Sequence, residues 1–239
     1  MIDIHAHLLP GVDDGPRDWD EAIALIKQGI EDGIKAAVVS PHTLNGAYIT
    51  TDKEVEGKLQ ELRERIGEEG LPPLNLYPGT ELYLVSNPVE EIKKGRALPI
   101  NQGSYVVIEL PSTQVPPFVD DIFFRMRLQG YQAVINHPER NTVFQKNMAA
   151  LGSLVDNGAL TIITAGSVTG LFGSVVQRAA LNIIEKGWGH CVATDAHHPD
   201  WRPMVLSKAY RGVEGRFGVA AAKRLFHDNP LKVIQGDKV

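Results

Sequence analysis

Short β-rich apolar runs alternate with longer stretches of helical period from one end of the chain to the other. The runs Ile2–His5, Ala36–Ser40, Leu74–Leu82, Tyr105–Leu110, Ala133–Asn136, Leu160–Thr164 and His190–Thr194 predict buried strands. Between the first two lies Asp18–Asp32, where Trp19, Ala22, Ile23, Ile26 and Ile30 recur at helical spacing and predict an amphipathic helix. Further helices are predicted over Asp52–Glu68, Pro117–Gln129, Gln145–Val155, Val175–Lys186 and Val205–Phe226. Gly33, Gly70, Gly130, Gly158 and Gly187 follow such runs, where a glycine closes a helix.

Strands alternating with helices imply parallel pairing through right-handed crossovers. Seven such units predict an α/β fold, a closed or nearly closed β/α barrel one unit short of the usual eight. An open doubly wound sheet is the alternative. No linker composition interrupts the pattern, so residues 1–239 are expected to form one domain.

Hydrophobic residues make up 43% of the chain and charged residues 22%, enough for a substantial core and against a disordered protein. The net charge of −5 gives no general attraction to nucleic acid or anionic lipid. Cys191 stands alone, which excludes an internal disulfide framework, a thiolate zinc cage and a C-x-x-C pair. No apolar run reaches the about 18 residues of a membrane span, and the N-terminus lacks signal-peptide features. A cytoplasmic location without membrane insertion is the expectation.

Residues with metal-ligand chemistry stand at the strand ends. The first strand ends in His5-Ala6-His7 and is followed by Asp13-Asp14; the second ends in Ser40-Pro41-His42. The third runs into Gly79-Thr80-Glu81 and the fourth into Glu109. The fifth ends in Asn136-His137-Pro138-Glu139-Arg140 and the seventh in Thr194-Asp195-Ala196-His197. In parallel β/α folds, catalytic residues gather at these C-terminal ends. Taken singly, each has a plain alternative: an H-x-H pair also suits a solvated barrel mouth, and a strand-end Glu is often a satisfied polar group. Taken together, the carboxylates would repel one another unless cations compensate, so more than one metal ion is expected. Imidazole and carboxylate without thiolate suit Mn, Fe or Zn. Asp14, Glu81, Glu109 and Asp195 supply about −4, so three divalent ions would leave roughly +2 and attract an anion, whereas two would be near neutral.

Other motifs are incomplete. There is no H-E-x-x-H or Walker loop, and Gly187-Trp188-Gly189 lacks the third glycine of a dinucleotide fingerprint. Ser167 is flanked by Ala165 and Thr169 where a nucleophile elbow has glycines. Thr164-Ala165-Gly166-Ser167 is either a phosphate-binding segment or a tight turn. His190 and His227 read as structural or solvated, and Cys191 as a small buried hydrophobe.

The N-terminal H-x-H, the single downstream His42, the H-P-x-R segment and the terminal D-x-H together resemble the polymerase and histidinol phosphatase (PHP) superfamily. That resemblance implies a distorted seven-stranded β/α barrel with two or three metals. Within the superfamily, residues 1–15 are similar to the opening of the bacterial capsule and exopolysaccharide tyrosine phosphatases, as are His137–Arg140, Thr164–Gly170 and Thr194–His197. The resemblance implies that His5, His7, Glu81 and Asp195 hold one metal, and that Glu81, Glu109 and His137 hold a second with Glu81 bridging. Asp14, His42 and His197 would hold the third. Arg140 and Arg202 match the family's phosphate-binding arginines, and Asp195 and His42 count among its catalytic residues. Thr43 stands where the family often has a second histidine.

The activity so implied is hydrolysis of phosphotyrosine in proteins, with three divalent ions, Mn first and Fe or Zn as alternatives. The implied partner is an autophosphorylating bacterial tyrosine kinase that controls polysaccharide export. Metal-activated water would attack phosphorus in line with the leaving phenolate. A phenol pKa near 10 makes tyrosine a better leaving group than serine, so a strong general acid is not required. Two rivals are a small-molecule phosphatase of the histidinol-phosphate type and a non-catalytic module braced by metals.

Overall fold

The computed structural model describes all 239 residues, Met1–Val239. Its strands are β1 (Ile2–Ala6), β2 (Ala36–Val39), β3 (His42–Thr43), β4 (Asn75–Pro78), β5 (Glu81–Tyr83), β6 (Tyr105–Glu109), β7 (Gln132–Asn136), β8 (Leu160–Thr164) and β9 (Cys191–Ala193). The helices are α1 (Trp19–Glu31), α2 (Asp52–Glu68), α3 (Pro88–Lys93), α4 (Val119–Leu128), α5 (Thr142–Lys146), α6 (Met148–Asp156), α7 (Ala165–Thr169), α8 (Ser174–Glu185), α9 (Ser207–Phe217), α10 (Val219–Lys223) and α11 (Asn229–Gln235).

Every strand pairs in parallel, as α/β alternation requires. The ladders form two sheets, ordered β1-β2-β4 and β3-β5-β6-β7-β8-β9, instead of the single ring expected. The division falls at two points: just after the expected strand Ala36–Ser40, where the unexpected β3 follows, and within the expected strand Leu74–Leu82, which breaks. At Ser40-Pro41 the proline has no N–H to give a ladder. At Gly79-Thr80 the Thr80 amide turns away to Leu98 O (3.0 Å). Gly79 lies so close beneath Val38 that a Cβ would come within 3.0 Å of its side chain. The chain thus passes directly from β2 to β3 and from β4 to β5, carrying each run from one sheet into the other. At the opposite edge, Asp195 N donates to His5 O and His7 N to Ala196 O, both at 2.9 Å, tying β1 to the segment after β9.

Two apolar layers sandwich the strands. Ile4, Val38, Val107, Val134, Ile162 and Ala193 form an inner cluster. Val39, Val106, Ile108, Ile135, Ile163 and Val192 belong to a larger one that also holds the buried faces of the helices. Val233 and Ile234 of α11 join the inner cluster beside Ile100 and Tyr105, covering the N-terminal ends of the strands. Tyr105 Oη donates to Asp237 O (2.7 Å) and Asn101 Nδ2 to Ile234 O (3.0 Å), holding that cover in place.

The predicted helix Gln145–Val155 is two helices, because Asn147 is extended (φ −135°) and Asn141 caps a separate turn through the amides of Val143 and Phe144. The predicted Val205–Phe226 helix breaks at Gly218, whose φ of +88° no helix accommodates. The short α3, α7 and α11 were not anticipated, since helices this brief carry little periodicity.

Candidate metal centre

Parallel register brings the chemistry together. His42 on β3 is the cross-strand partner of Glu81 on β5, and Tyr83, two residues beyond Glu81, is the partner of Glu109 on β6. Side chains two apart on a strand share a face, so His42, Glu81 and Glu109 converge. His42 Nδ1 lies 3.2 Å from Glu81 Oε2 and 3.7 Å from Glu109 Oε2. His5 and His7, from the end of β1, point their Nε2 atoms at the same carboxylate, 3.4 and 3.3 Å from Glu81 Oε2. Asp195 Oδ1 lies 3.4 Å from His5 Nε2 and 3.6 Å from His7 Nε2. His137 Nε2 stands 3.2 Å from Glu81 Oε1 and 3.7 Å from Glu109 Oε1. At the outer side, His42 and His197 each place Nε2 3.5 Å from Asp14 Oδ1.

All nine residues expected as ligands therefore meet at the C-terminal strand ends, with Glu81 at the middle. The tightest ligand-atom groupings are His5–His7–Glu81, His42–Glu81–Glu109, and His7–Asp14–His42–His197, each within 4.8 Å; the expected ligands Asp195 and His137 fall in none of them, and His42 takes the place expected for His137. His7 and His42 thus face two groupings apiece. Buried Glu81 Oε2 and His42 Nδ1 have no hydrogen-bond partner. Unpartnered buried donors of imidazole and carboxylate type are what hard or borderline divalent ions bind, so these residues fit a metal centre.

A surrounding layer aims the ligands. Asp13 Oδ2 accepts from His7 Nδ1 (2.6 Å) and from the His42 amide (2.9 Å), while its Oδ1 accepts from Gly15 N (2.9 Å). Ser40 Oγ bonds His5 Nδ1 (2.8 Å), leaving Nε2 for the centre. Asn136 Nδ2 donates to Glu81 Oε1 (2.5 Å) and lies 2.9 Å from His5 Nε2. Glu139, fully buried, accepts from the Thr164 amide (2.9 Å) and so ties the His137 turn to β8. Sequence reasoning missed the roles of Asp13, Ser40, Asn136 and Glu139. All four stand in the strand-end segments named from the sequence, but their types alone did not mark them as partners of the ligands.

Arg140 Nη1 pairs with Asp195 Oδ2 at 2.9 Å, and Arg202 Nη2 pairs with the same oxygen. Asp195 therefore presents one oxygen to histidines and the other to two guanidinia. Its backbone (φ +54°) and that of His137 (φ +34°) lie in the left-handed region, a strain held where ligands must be aimed off strand ends. Thr164–Ser167 opens the five-residue α7, its first amide already taken by Glu139.

Charges are strongly coupled here. Burial disfavours protonation of His5 and His7, yet Glu81 and Asp195 raise His5 to about 9, and Asp13 and Glu81 raise His7 to about 10. Burial lowers His42 and His197, keeping both imidazoles neutral and ready to bind metal. Burial and the neighbouring Glu81 push Glu109 up to about 7. Although burial opposes it, Arg202 and the histidines hold Asp195 well below the usual carboxylate range. Away from the centre, His190 bonds the start of β8 through Thr161, Cys191 is buried, and His227 is half exposed beside Asp228. No helix is long and apolar enough to cross a membrane.

A family model described as capsular polysaccharide synthesis, CpsB/CapC, matches residues 1–235. The chain is 34% identical to tyrosine-protein phosphatase YwqE of Bacillus subtilis, over 91% of this chain and 85% of that protein. It is 29% identical to tyrosine-protein phosphatase CpsB of Streptococcus pneumoniae, over 98% of each. A chain from the crystal structures of YwqE from Bacillus subtilis and CpsB from Streptococcus pneumoniae, described as unique metal-dependent tyrosine phosphatases, superimposes with a TM-score of 0.96. It is 32% identical and covers 100% of this chain and 96% of that one. The lactonase Lmo2620 of Listeria monocytogenes (TM-score 0.62, 12% identical, covering 99% and 95%) shares the fold alone.

Proposed function

The chain belongs to the CpsB/CapC family of capsular polysaccharide synthesis, and on that premise we propose that it is a metal-dependent phosphatase hydrolysing phosphotyrosine in proteins. The observation that carries this reading is the convergence of seven imidazole and carboxylate groups, with Asp195 and His137 against them, beside two arginines that share one carboxylate oxygen. The nearby YwqE and CpsB structures, described as tyrosine phosphatases, support it.

In this proposal His5, His7, Glu81 and Asp195 hold one ion; Glu81, Glu109 and His137 a second; and Asp14, His42 and His197 a third, with manganese the preferred metal. Bound ions would supply an activated water and neutralise the phosphoryl oxygens. The Asp13 carboxylate fixes the tautomer of His7 and Ser40 orients the His5 ring, so that each offers Nε2 inward. Arg140 and Arg202, already poised at Asp195 Oδ2, turn their remaining N–H groups to the phosphoryl oxygens. His42 and Asp195 join catalysis by setting the charge around the reacting group. In this reading the two sheets act as one distorted seven-stranded barrel and a single domain, a reading that the hydrogen bonds between β1 and the segment after β9 support. The substrate would be a bacterial tyrosine kinase met in the cytoplasm.

Purified protein should hydrolyse a phosphotyrosine peptide faster than histidinol phosphate, lose that activity on exhaustive chelation and regain it with Mn²⁺. Full activity in metal-free protein, or a preference for histidinol phosphate, would sink the proposal.

A further inference from the structure

Beside the metal centre lies a cavity of about 450 Å³, walled by Gly166, Leu171, Phe172, Trp201, Arg202 and Val205. None of the nine clustered residues lines it; Arg202 links it to the centre, and the Trp201 ring lies 6.5 Å from that of His197. Phe172 lies under both guanidinia, its ring centroid 5.0 Å from Arg140 Cζ and 6.0 Å from Arg202 Cζ. Gly166 lets that floor approach: a Cβ there would come within 2.9 Å of the Phe172 ring and 3.1 Å of Leu171.

The lining is mixed: Asp200 and Lys208 stand beside the apolar groups, and two of those apolar groups are open to solvent. Leu171, from the loop between α7 and α8, is 55% exposed, and Trp201, from the loop after β9, is 53% exposed. Two large apolar side chains from separate loops, flanking one cavity, mark a contact surface more than chance exposure. The Arg202–Asp195 pair stands between this cavity and the ligand cluster. With a phosphoryl group held at the cluster, the space on the far side of Arg202 is open to a group further along the same substrate chain.

We propose that this cavity is a sequence-specificity pocket for protein substrates, taking a large apolar or aromatic side chain next to the phosphotyrosine. The proposal rests on the phosphotyrosine reading above and adds the substrate preference.

Two matched sets of phosphotyrosine peptides, with Phe or with Gly at the positions flanking the phosphotyrosine, test it by kcat/KM. The wild type should favour the Phe peptides about tenfold, the scale on which apolar pockets discriminate. Leu171→Ala and Trp201→Ala should each cut that ratio several-fold, chiefly through KM, and Trp201→Phe should largely restore it. Both positions are surface-exposed, and melting curves of the variants confirm folding. Equal wild-type rates on both sets, or variants that slow both in the same proportion, would overturn the pocket while leaving the activity standing. If histidinol phosphate is turned over and neither peptide set is, the phosphotyrosine reading fails and the pocket goes with it.

Discussion

Replacing Asp13 with Asn should weaken the metal centre without removing any of its ligands. The Asp13 carboxylate accepts from His7 Nδ1 and the His42 amide through Oδ2, and from the Gly15 amide through Oδ1. An Asn oxygen in the Oδ2 position keeps the first two contacts, but the amide nitrogen then faces the Gly15 N–H. One partly buried donor loses its partner, at a cost of about 1 kcal/mol in folding stability. The lost negative charge also makes the His7 ring a weaker ligand. Outer-layer changes of this kind cost about 10–100-fold in metal affinity, or about 1.4–2.7 kcal/mol. Metal-free wild type and variant, titrated with Mn²⁺ against a chromogenic chelator at pH 8, should differ by that factor. The gap should narrow toward pH 6. In the metal-free protein burial opposes the His7 proton, but Asp13 and Glu81 hold it to about 10, so proton competes with metal. Without the Asp13 charge that competition weakens, which offsets part of the loss as pH falls. A variant that binds metal as the wild type does at pH 8 would refute the orienting role.

Arg140→Lys and Arg202→Lys should each lower kcat/KM roughly tenfold or more, about 1.4 kcal/mol, with metal content intact, because an ammonium cannot fork; wild-type kinetics in both would return these residues to a structural role. Cys191→Ser should keep kcat but lower stability by about 1–3 kcal/mol, since it places a hydroxyl in the apolar inner cluster; a folded variant without activity would imply a cysteine mechanism. His190 should make folding acid-sensitive. Burial lowers it to about 4, so the unfolded chain binds its proton first as pH falls through 6.5. Full stability from this group is present above pH 6.5 and up to about 3 kcal/mol is lost by pH 4. Chemical denaturation of wild type and His190→Asn at pH 7 and 4.5 should show a smaller pH difference in the variant; an equal difference would remove His190 as the cause.

The periodicity located most of the strands and the longer helices, because a buried parallel strand is apolar on both faces and an amphipathic helix repeats its apolar face. It ran Leu74–Leu82 together as one strand, since apolar content does not register that Thr80 bonds Leu98 instead of a neighbouring strand. It also joined α5 to α6 and α9 to α10, because a single extended Asn147 or left-handed Gly218 leaves the apolar spacing nearly intact.

The sequence by itself determined which residue types stand at the strand ends, and hence the chemistry: imidazole and carboxylate without thiolate, and more negative charge than a cluster could hold uncompensated. Those facts are local, written in each residue and its strand. Only the tertiary structure decided how the groups share their neighbours. Cross-strand register sets Glu81 beside His42, Asp13 reaches back to His7, and Arg140 and Arg202 meet on one oxygen of Asp195. Pairings within the site, such as Asn136 with His5, join residues 131 positions apart and more. Their energies depend on distance and burial, quantities that come into being only when the chain has folded.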